Sequence, residues 1–177
     1  TPGWYSWSKE FARIEGWGGH SGTNLMAFRG WIRNDWLFGR YETSAEQPVA
    51  VAPGKYVFSV WIARDTAFAL TNAEMRIEWY GNDYPAKLQA DTVMPLTIPA
   101  GSSWTLYTMT GECASASLRV AVPMVFAQWT TNANDSLKLD DATFTYMAGD
   151  FTDGIPNSWW SLYADIPVDQ WIATNDF

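Results

Sequence analysis

Long stretches of the chain alternate between apolar and polar positions, and this alternation predicts strands with one buried face. In the segment 53–65, PGKYVFSVWIARD, every second residue from Tyr56 to Ile62 is large and apolar. Because successive side chains of a strand point to opposite faces, this set predicts a row that faces a core. Trp61 falls on the other face among small residues, so either a second layer covers its ring or the ring is open to a ligand.

The segment 73–80, AEMRIEWY, predicts a second strand of this kind. Its apolar face carries Met75, Ile77 and Trp79, and its opposite face carries Glu74, Arg76, Glu78 and Tyr80. One interpretation is a solvated face with cross-strand pairs of Glu and Arg. The other is a sugar site, in which Arg76 and Glu78 bond to hydroxyls and Tyr80 stacks on a pyranose. If both strands belong to one sheet, Trp61 joins this site.

Short strand-like segments recur along the chain, with turns rich in Gly, Pro, Asn and Asp between them. This pattern predicts an all-β fold, an antiparallel β-sandwich of the jelly-roll type. The composition changes after Ala148, so we expect a domain over 1–148 and a linker, or the start of a further module, over 149–177. Asp153 and Pro156 predict a short helical turn in that otherwise irregular tail. The predicted strands lie near 4–11, 24–32, 36–43, 46–52, 55–64, 74–80, 93–98, 103–110, 116–126 and 136–146.

Charge and composition narrow the range of partners. The formal net charge is −8, with 11 basic and 19 acidic residues, and no basic cluster is present. Nucleic acid and anionic membrane surfaces are therefore not expected partners. No apolar run reaches the ~20 residues that span a bilayer. The single cysteine excludes an internal disulfide, and the 12 tryptophans suggest that some indoles are exposed for binding. We expect a monomer.

Other aromatic residues are candidates for the edge of a site. Arg29, Trp31 and Trp36 lie in a loop-like stretch, FRGWIRNDWLFGRY, where rings next to charged and amide groups suit contacts with a ligand. Trp129 follows VFAQ and is expected at a strand end, flanking a groove.

Catalytic arrangements find little support in the sequence. His20 is the only histidine, no nucleophile-elbow motif is present, and metal sites built from several His or Cys side chains are excluded. Glu74 and Glu78 lie about 13 Å apart along one strand, whereas glycosidase carboxylate pairs need roughly 5 to 9.5 Å. We therefore expect no enzyme. The alternatives are a small jelly-roll lyase or hydrolase with carboxylates from different strands, and an adhesion or assembly domain that binds protein.

The order of several motifs resembles the galactose-binding-like jelly-roll carbohydrate-binding modules of bacterial polysaccharide-degrading enzymes. The resemblance covers about residues 4 to 148. The matching segments are HSGTNLMAF (20–28), VAVAPGKYVFSVWIARD (49–65), MRIEWYGND (75–83), SSWTLYTMTGE (102–112), LRVAV (118–122) and LKLDDATFTY (137–146).

This resemblance implies a non-catalytic, secreted or cell-surface module that binds a plant or algal polysaccharide such as β-glucan, xylan or mannan. The module would be joined to a catalytic domain. Trp61, Arg76, Glu78 and Tyr80 lie on the strands that carry such sites in this group.

The resemblance also implies a structural calcium ion between the N-terminal strand and a strand with paired aspartates. Asp140 and Asp141 match the pair. At the N-terminal position the chain departs from the usual Phe–Glu order, because Ala12 follows Phe11 and the acidic residue, Glu10, precedes it.

The tail resembles the bacterial thrombospondin type 3-like calcium repeat through DGIPNSWWSLY, residues 153–163. The loop before it departs from that pattern, with Gly149, Phe151 and Thr152 in place of the expected residues. As a linker, this repeat implies a large, secreted, multidomain bacterial protein.

Overall fold

The computed structural model describes residues 5–6, 12–29, 41–81, 87–130 and 135–147. Eleven strands lie within these ranges, and every pairing between them is antiparallel. They are β1 (Tyr5–Ser6), β2 (Ala12–Glu15), β3 (Leu25–Phe28), β4 (Tyr41–Glu46), β5 (Val49–Ala50), β6 (Gly54–Arg64), β7 (Leu70–Tyr80), β8 (Lys87–Pro95), β9 (Thr105–Cys113), β10 (Val120–Trp129) and β11 (Leu137–Tyr146).

The strands form two sheets that pack face to face. The six-stranded sheet has the order β1-β4-β10-β7-β8, with β5 paired to β10, and the five-stranded sheet has the order β2-β3-β11-β6-β9. The predicted all-β antiparallel sandwich is therefore confirmed. Within the described ranges, no helix is present that has the length and hydropathy needed to cross a bilayer.

The core lies between the sheets and consists of the apolar rows that the alternation predicted. The inward side chains of β6 from Tyr56 to Ile62 and those of β7 from Met75 to Trp79 are all buried. Trp79 meets Tyr56 across the core, with ring centroids 6.2 Å apart, and its indole N–H donates to Thr92 Oγ1 at 3.2 Å. The large indole ring of Trp79 is thus buried with its N–H group hydrogen-bonded.

Strands β6 and β7 follow each other in the chain but belong to opposite sheets. Their outward side chains therefore point away from the core in opposite directions, and the interpretation that places Trp61 beside Arg76 in one sheet is wrong. Alternation along a strand fixes which residues share a face, but it does not fix which sheet the strand joins.

Trp129 is a core residue, which corrects its expected place beside a groove. Its side chain is 0% exposed and packs against Phe28 and Phe68, with ring centroids 6.4 and 5.3 Å away. It has the same parity along β10 as Val125 and Ala127, which also face inward.

Strand β8 is longer than the predicted segment 93–98, since its mixed sequence KLQADTVMP lacks a clear alternation. It forms an edge of one sheet, as β9 does of the other. The Gln89 side chain joins these edges: its amide N–H donates to Glu112 O at 2.6 Å, and its carbonyl accepts from Ala114 N at 3.1 Å. The predicted strands near 4–11 and 36–43 and the tail 149–177 fall wholly or largely outside the described residues.

Candidate functional site

The outward residues of β7 and β8 form a connected group of charges, which we name the charged face. Arg76 donates to Glu74 and, at 3.4 Å, to Glu78 Oε1. Lys87 Nζ lies 2.8 Å from both Glu78 Oε1 and Asp91 Oδ2. The structure thus brings the predicted pair Arg76 and Glu78 together and adds Lys87 and Asp91, which the sequence analysis missed because β8 was not predicted over its full length.

Tyr80 supports this group through its hydroxyl. The Tyr80 hydroxyl donates to Glu78 Oε2, and the side chain is only 5% exposed. Little of the ring is therefore open for stacking, which departs from the predicted role of Tyr80. Burial raises the pKa of Glu78, but hydrogen bonds from Lys87 and Tyr80 outweigh it and hold the pKa below its ordinary value. A glycosidase general acid needs the opposite shift.

Two buried polar atoms of the charged face lack a hydrogen-bond partner among the described residues, Arg76 Nε and Asp91 Oδ1. A buried donor or acceptor without a partner costs free energy. Across the sheet, the outward residues Val122 and Met124 of β10 form a small apolar cluster with Tyr80. All three of these residues are buried, so the part of the face that a ligand can reach consists of the partly exposed charged groups of Arg76, Lys87 and Asp91.

Trp61 points outward from the five-stranded sheet, as the alternation predicts, but its ring is covered. The imidazole of His20 stacks on it with centroids 3.9 Å apart and planes 16° apart, and Trp104 meets His20 edge-on at 5.9 Å. His20 belongs to residues 16–24, which connect β2 to β3 and which we name the 16–24 loop. The loop thus occupies the stacking face of the half-buried indole.

The paired aspartates hold this loop in place. Asp140 Oδ2 accepts from His20 N at 2.7 Å, and Asp141 accepts from His20 Nδ1 at 2.8 Å and from Ser21 Oγ at 2.5 Å. The bond from Ser21, followed by that from His20, holds the pKa of Asp141 below its ordinary value. Asp141 has a φ of 46°, and the pairing of β11 with β6 shifts register between Asp140 and Thr143. This bulge breaks the strand alternation and lets both consecutive carboxylates reach one loop.

Oxygen atoms converge beside Gly19, at the point that a Cβ would occupy there. Asn24 O lies 2.8 Å from this point, and Asp140 Oδ2 and Gly22 O lie 2.9 Å from it. Carbonyl and carboxylate oxygens are the ligands of calcium, which takes about six to eight of them. Two of these three oxygens are backbone carbonyls. Among the described residues, no three His, Cys, Asp or Glu side chains group around one point. Their chemistry fits calcium, and Glu10 lies outside the described residues.

Arg29 and a tryptophan that the sequence analysis did not select form a further cluster. Arg29 Nη2 donates to Glu15 Oε2 at 2.5 Å, and the two side chains are only 13% and 8% exposed. The guanidinium carbon lies 5.6 Å from the ring centroid of Trp17, which is itself 61% exposed. No alternation points to Trp17, since it lies between Gly16 and Gly18 in the loop. The candidates Trp31 and Trp36 lie outside the described residues.

Comparison with known proteins gives matches by structure only. No protein-family model matches the sequence, and no curated protein matches it. A family 16 carbohydrate-binding module is similar, with a TM-score of 0.56, 14% identity, and coverage of 77% of this chain and 86% of that one. TmCBM61, solved in complex with β-1,4-galactotriose, gives a TM-score of 0.54 at 13% identity, with coverage of 81% and 88%.

A larger similar structure combines a module of this kind with an enzyme. It contains the CBM22-1 and GH10 modules of a Clostridium thermocellum endo-1,4-β-D-xylanase, complexed with xylohexaose. The TM-score is 0.57 at 15% identity, and the match covers 84% of this chain but only 27% of that one. At these identities, the comparisons establish that this chain shares the β-sandwich fold of carbohydrate-binding modules.

Proposed function

We propose that this protein is a non-catalytic carbohydrate-binding module that binds a neutral polysaccharide at the charged face. The observation that carries the proposal is the partly exposed network of ion pairs that joins Arg76 and Lys87 to Glu74, Glu78 and Asp91. A sugar hydroxyl is both a donor and an acceptor, so neighbouring hydroxyls suit a surface that presents carboxylates beside a guanidinium and an ammonium group.

The ion pairs of the charged face also fix the orientation of its polar groups. Arg76 and Lys87 hold Glu78 and Asp91 in place, so the acceptors are oriented before a ligand arrives. Carboxylates outnumber cations on this face, and we therefore expect it to disfavour polyuronates.

The similar structures support the proposal of a carbohydrate-binding module. One of them was solved with a galactotriose and another with a xylohexaose, and the latter joins its binding module to a catalytic module. We propose that this chain likewise keeps an appended, secreted enzyme close to an insoluble substrate by raising its effective concentration there.

A structural calcium ion is part of the proposal. Asp140 Oδ2, Gly22 O and Asn24 O would hold it, and its charge would tie the 16–24 loop to β11. The chain's own residues already form part of this tie through the bonds from His20 and Ser21 to the paired aspartates.

Affinity electrophoresis in gels containing xylan, β-glucan, mannan or galactan tests the binding face. We expect Arg76→Gln and Asp91→Asn each to weaken retention by about tenfold or more, because a hydrogen bond to a charged group contributes about 1.5–3 kcal/mol. Arg119→Gln is the matched control, since Arg119 is exposed and lies outside the network.

Thermal unfolding separates lost binding from lost structure. Asp91→Asn keeps the shape of the side chain, so its melting temperature should stay close to that of the wild type. Full retention of both variants, with the fold intact, would show that the charged face is not the binding site.

A further inference from the structure

We propose that Trp17 is a second saccharide-binding platform, on the side of the sandwich opposite the charged face. The inference rests on the proposed function for its class of ligand, but it concerns different residues. In this proposal Trp17 is the stacking ring, and Trp61 anchors the loop that carries Trp17.

Exposure separates Trp17 from the other indoles. Five tryptophans lie in the described ranges, and Trp17 alone among them is mostly exposed. Trp79 and Trp129 fill the core, and Trp61 is covered by His20. Most of the apolar surface of Trp17 is therefore accessible to a ligand.

Arg29 contacts the Trp17 ring, and 61% of the residue's surface is exposed. Arg29 lies over one face in cation–π geometry, and its guanidinium is fixed by the largely buried Glu15. Gly16 and Gly18 flank the ring and bring no side chain that could cover it, and the φ of Gly18, +75°, is one that glycine adopts without strain. A ring fixed in this way loses little conformational entropy when a ligand binds.

The base of the loop adds to this rigidity. His20 and Ser21 are bound to Asp140 and Asp141, and the His20 ring rests on Trp61. Trp17, only three residues before His20, is therefore presented by a loop that is fastened to β11 and β6.

The surroundings favour a saccharide as the occupant. The loop residues that follow are exposed, short and polar, with hydroxyl or amide groups on Ser21, Thr23 and Asn24. A pyranose stacks its C–H face on an aromatic ring and bonds its hydroxyls to such groups. A lipid surface fits less well, because the chain is acidic and no basic cluster accompanies the ring.

The two sites lie on opposite sheets, so one short saccharide cannot contact both. A soluble oligosaccharide should then bind the wild type at two sites, and a polysaccharide matrix should engage both and gain avidity. We expect isothermal titration calorimetry with an oligosaccharide of the retained polysaccharide to give a stoichiometry near two, falling to one in Trp17→Ala and to one in Arg76→Gln.

Affinity gels supply the second measurement. Trp17→Ala should weaken retention roughly 3- to 10-fold, the loss expected for one aromatic contact, and Trp17→Phe should restore much of it. Leu106→Ala is the matched control, because it removes exposed apolar surface from the same sheet without touching an indole platform. Trp17→Ala and Leu106→Ala should leave the melting temperature nearly unchanged. Trp61→Ala should lower the melting temperature, because it removes the ring on which His20 stacks.

The variants distinguish this inference from the proposed function. Loss of the second site in Trp17→Ala while Arg76→Gln binds normally would overturn the charged face and keep Trp17. Normal retention and unchanged stoichiometry in Trp17→Ala would overturn the Trp17 platform. A change in the sedimentation of Trp17→Ala with no change in its glycan binding would also overturn it, because Trp17 would then be a contact between protein molecules. A wild-type protein that binds no glycan in the panel would overturn both.

Discussion

The charged face and the aspartate pair below the 16–24 loop both concentrate carboxylates, but they stabilise them by different means. On the charged face, Glu78 and Asp91 share the ammonium group of Lys87, and Glu74 pairs with Arg76. Below the loop, Asp140 receives hydrogen bonds from the backbone N–H groups of His20 and Asp141.

This difference separates a surface that balances its own charges from the one where we propose a calcium ion. The charged face supplies its own positive charges, so a metal ion would have to displace Arg76 or Lys87 to bind there. The aspartate pair has no Lys or Arg among its described hydrogen-bond partners, and it lies beside two carbonyl oxygens of the loop. The carboxylates of the charged face and those of the aspartate pair should therefore respond differently to calcium and to added bulk.

The largest expected effect is that of calcium. An ion that binds only the folded state at a hundredfold excess over its Kd stabilises it by about 2.7 kcal/mol, and this corresponds to several degrees in Tm for a domain of this size. Differential scanning fluorimetry with calcium and with chelator measures the shift. Asp140→Asn should remove most of it, whereas Asp91→Asn should leave it intact. Equal melting curves with and without calcium would refute a calcium site.

The next effect comes from filling the space beside Gly19. In Gly19→Ala, the new methyl group would lie within 3 Å of Asn24 O, Asp140 Oδ2 and Gly22 O, and overpacking of this kind costs about 1–3 kcal/mol. Gly22→Ala is the matched control, because nothing lies within 4 Å of its Cβ position. Urea unfolding should show the loss for position 19 alone. Equal stability of the two variants would mean that the three oxygens do not converge as described.

The smallest effect concerns acid. Hydrogen bonds lower the pKa of Asp141 and of Glu78, so the stability that each contributes is fully present above the ordinary carboxyl pKa of about 4 and is lost as the pH falls through the lowered value. Urea midpoints measured below about pH 5 should therefore fall less steeply in Asp141→Asn and in Glu78→Gln than in the wild type. A wild-type slope in both variants would contradict the assigned pKa directions.

The sequence was sufficient to predict the sandwich and its core because alternation is a local signal. Tyr56, Ile62 and Trp79 face inward as their parity requires, and Trp61 faces outward. Trp129 has the same parity along β10 as Val125 and Ala127, so alternation also indicates its place in the core, although it lies at the end of the strand.

The composition of the sites depended on information that a single strand does not contain. The separation of Trp61 from Arg76 follows from the sheet order, which is a property of the whole chain. The covering of Trp61 by His20 brings together residues far apart in sequence, and the exposure of Trp17 between two glycines has no periodic signature. The roles of Lys87 and Asp91 depend on β8, whose mixed pattern conceals the strand.

The bridge made by Gln89 has a consequence for a protein that would gather densely on a solid surface. An open sheet edge invites strand addition from a neighbouring molecule, and β8 and β9 are both edges of this sandwich. The Gln89 amide engages a carbonyl and an N–H at the end of β9 in the way that a pairing strand would. That edge is thereby partly closed to self-association, so crowding need not lead to aggregation there.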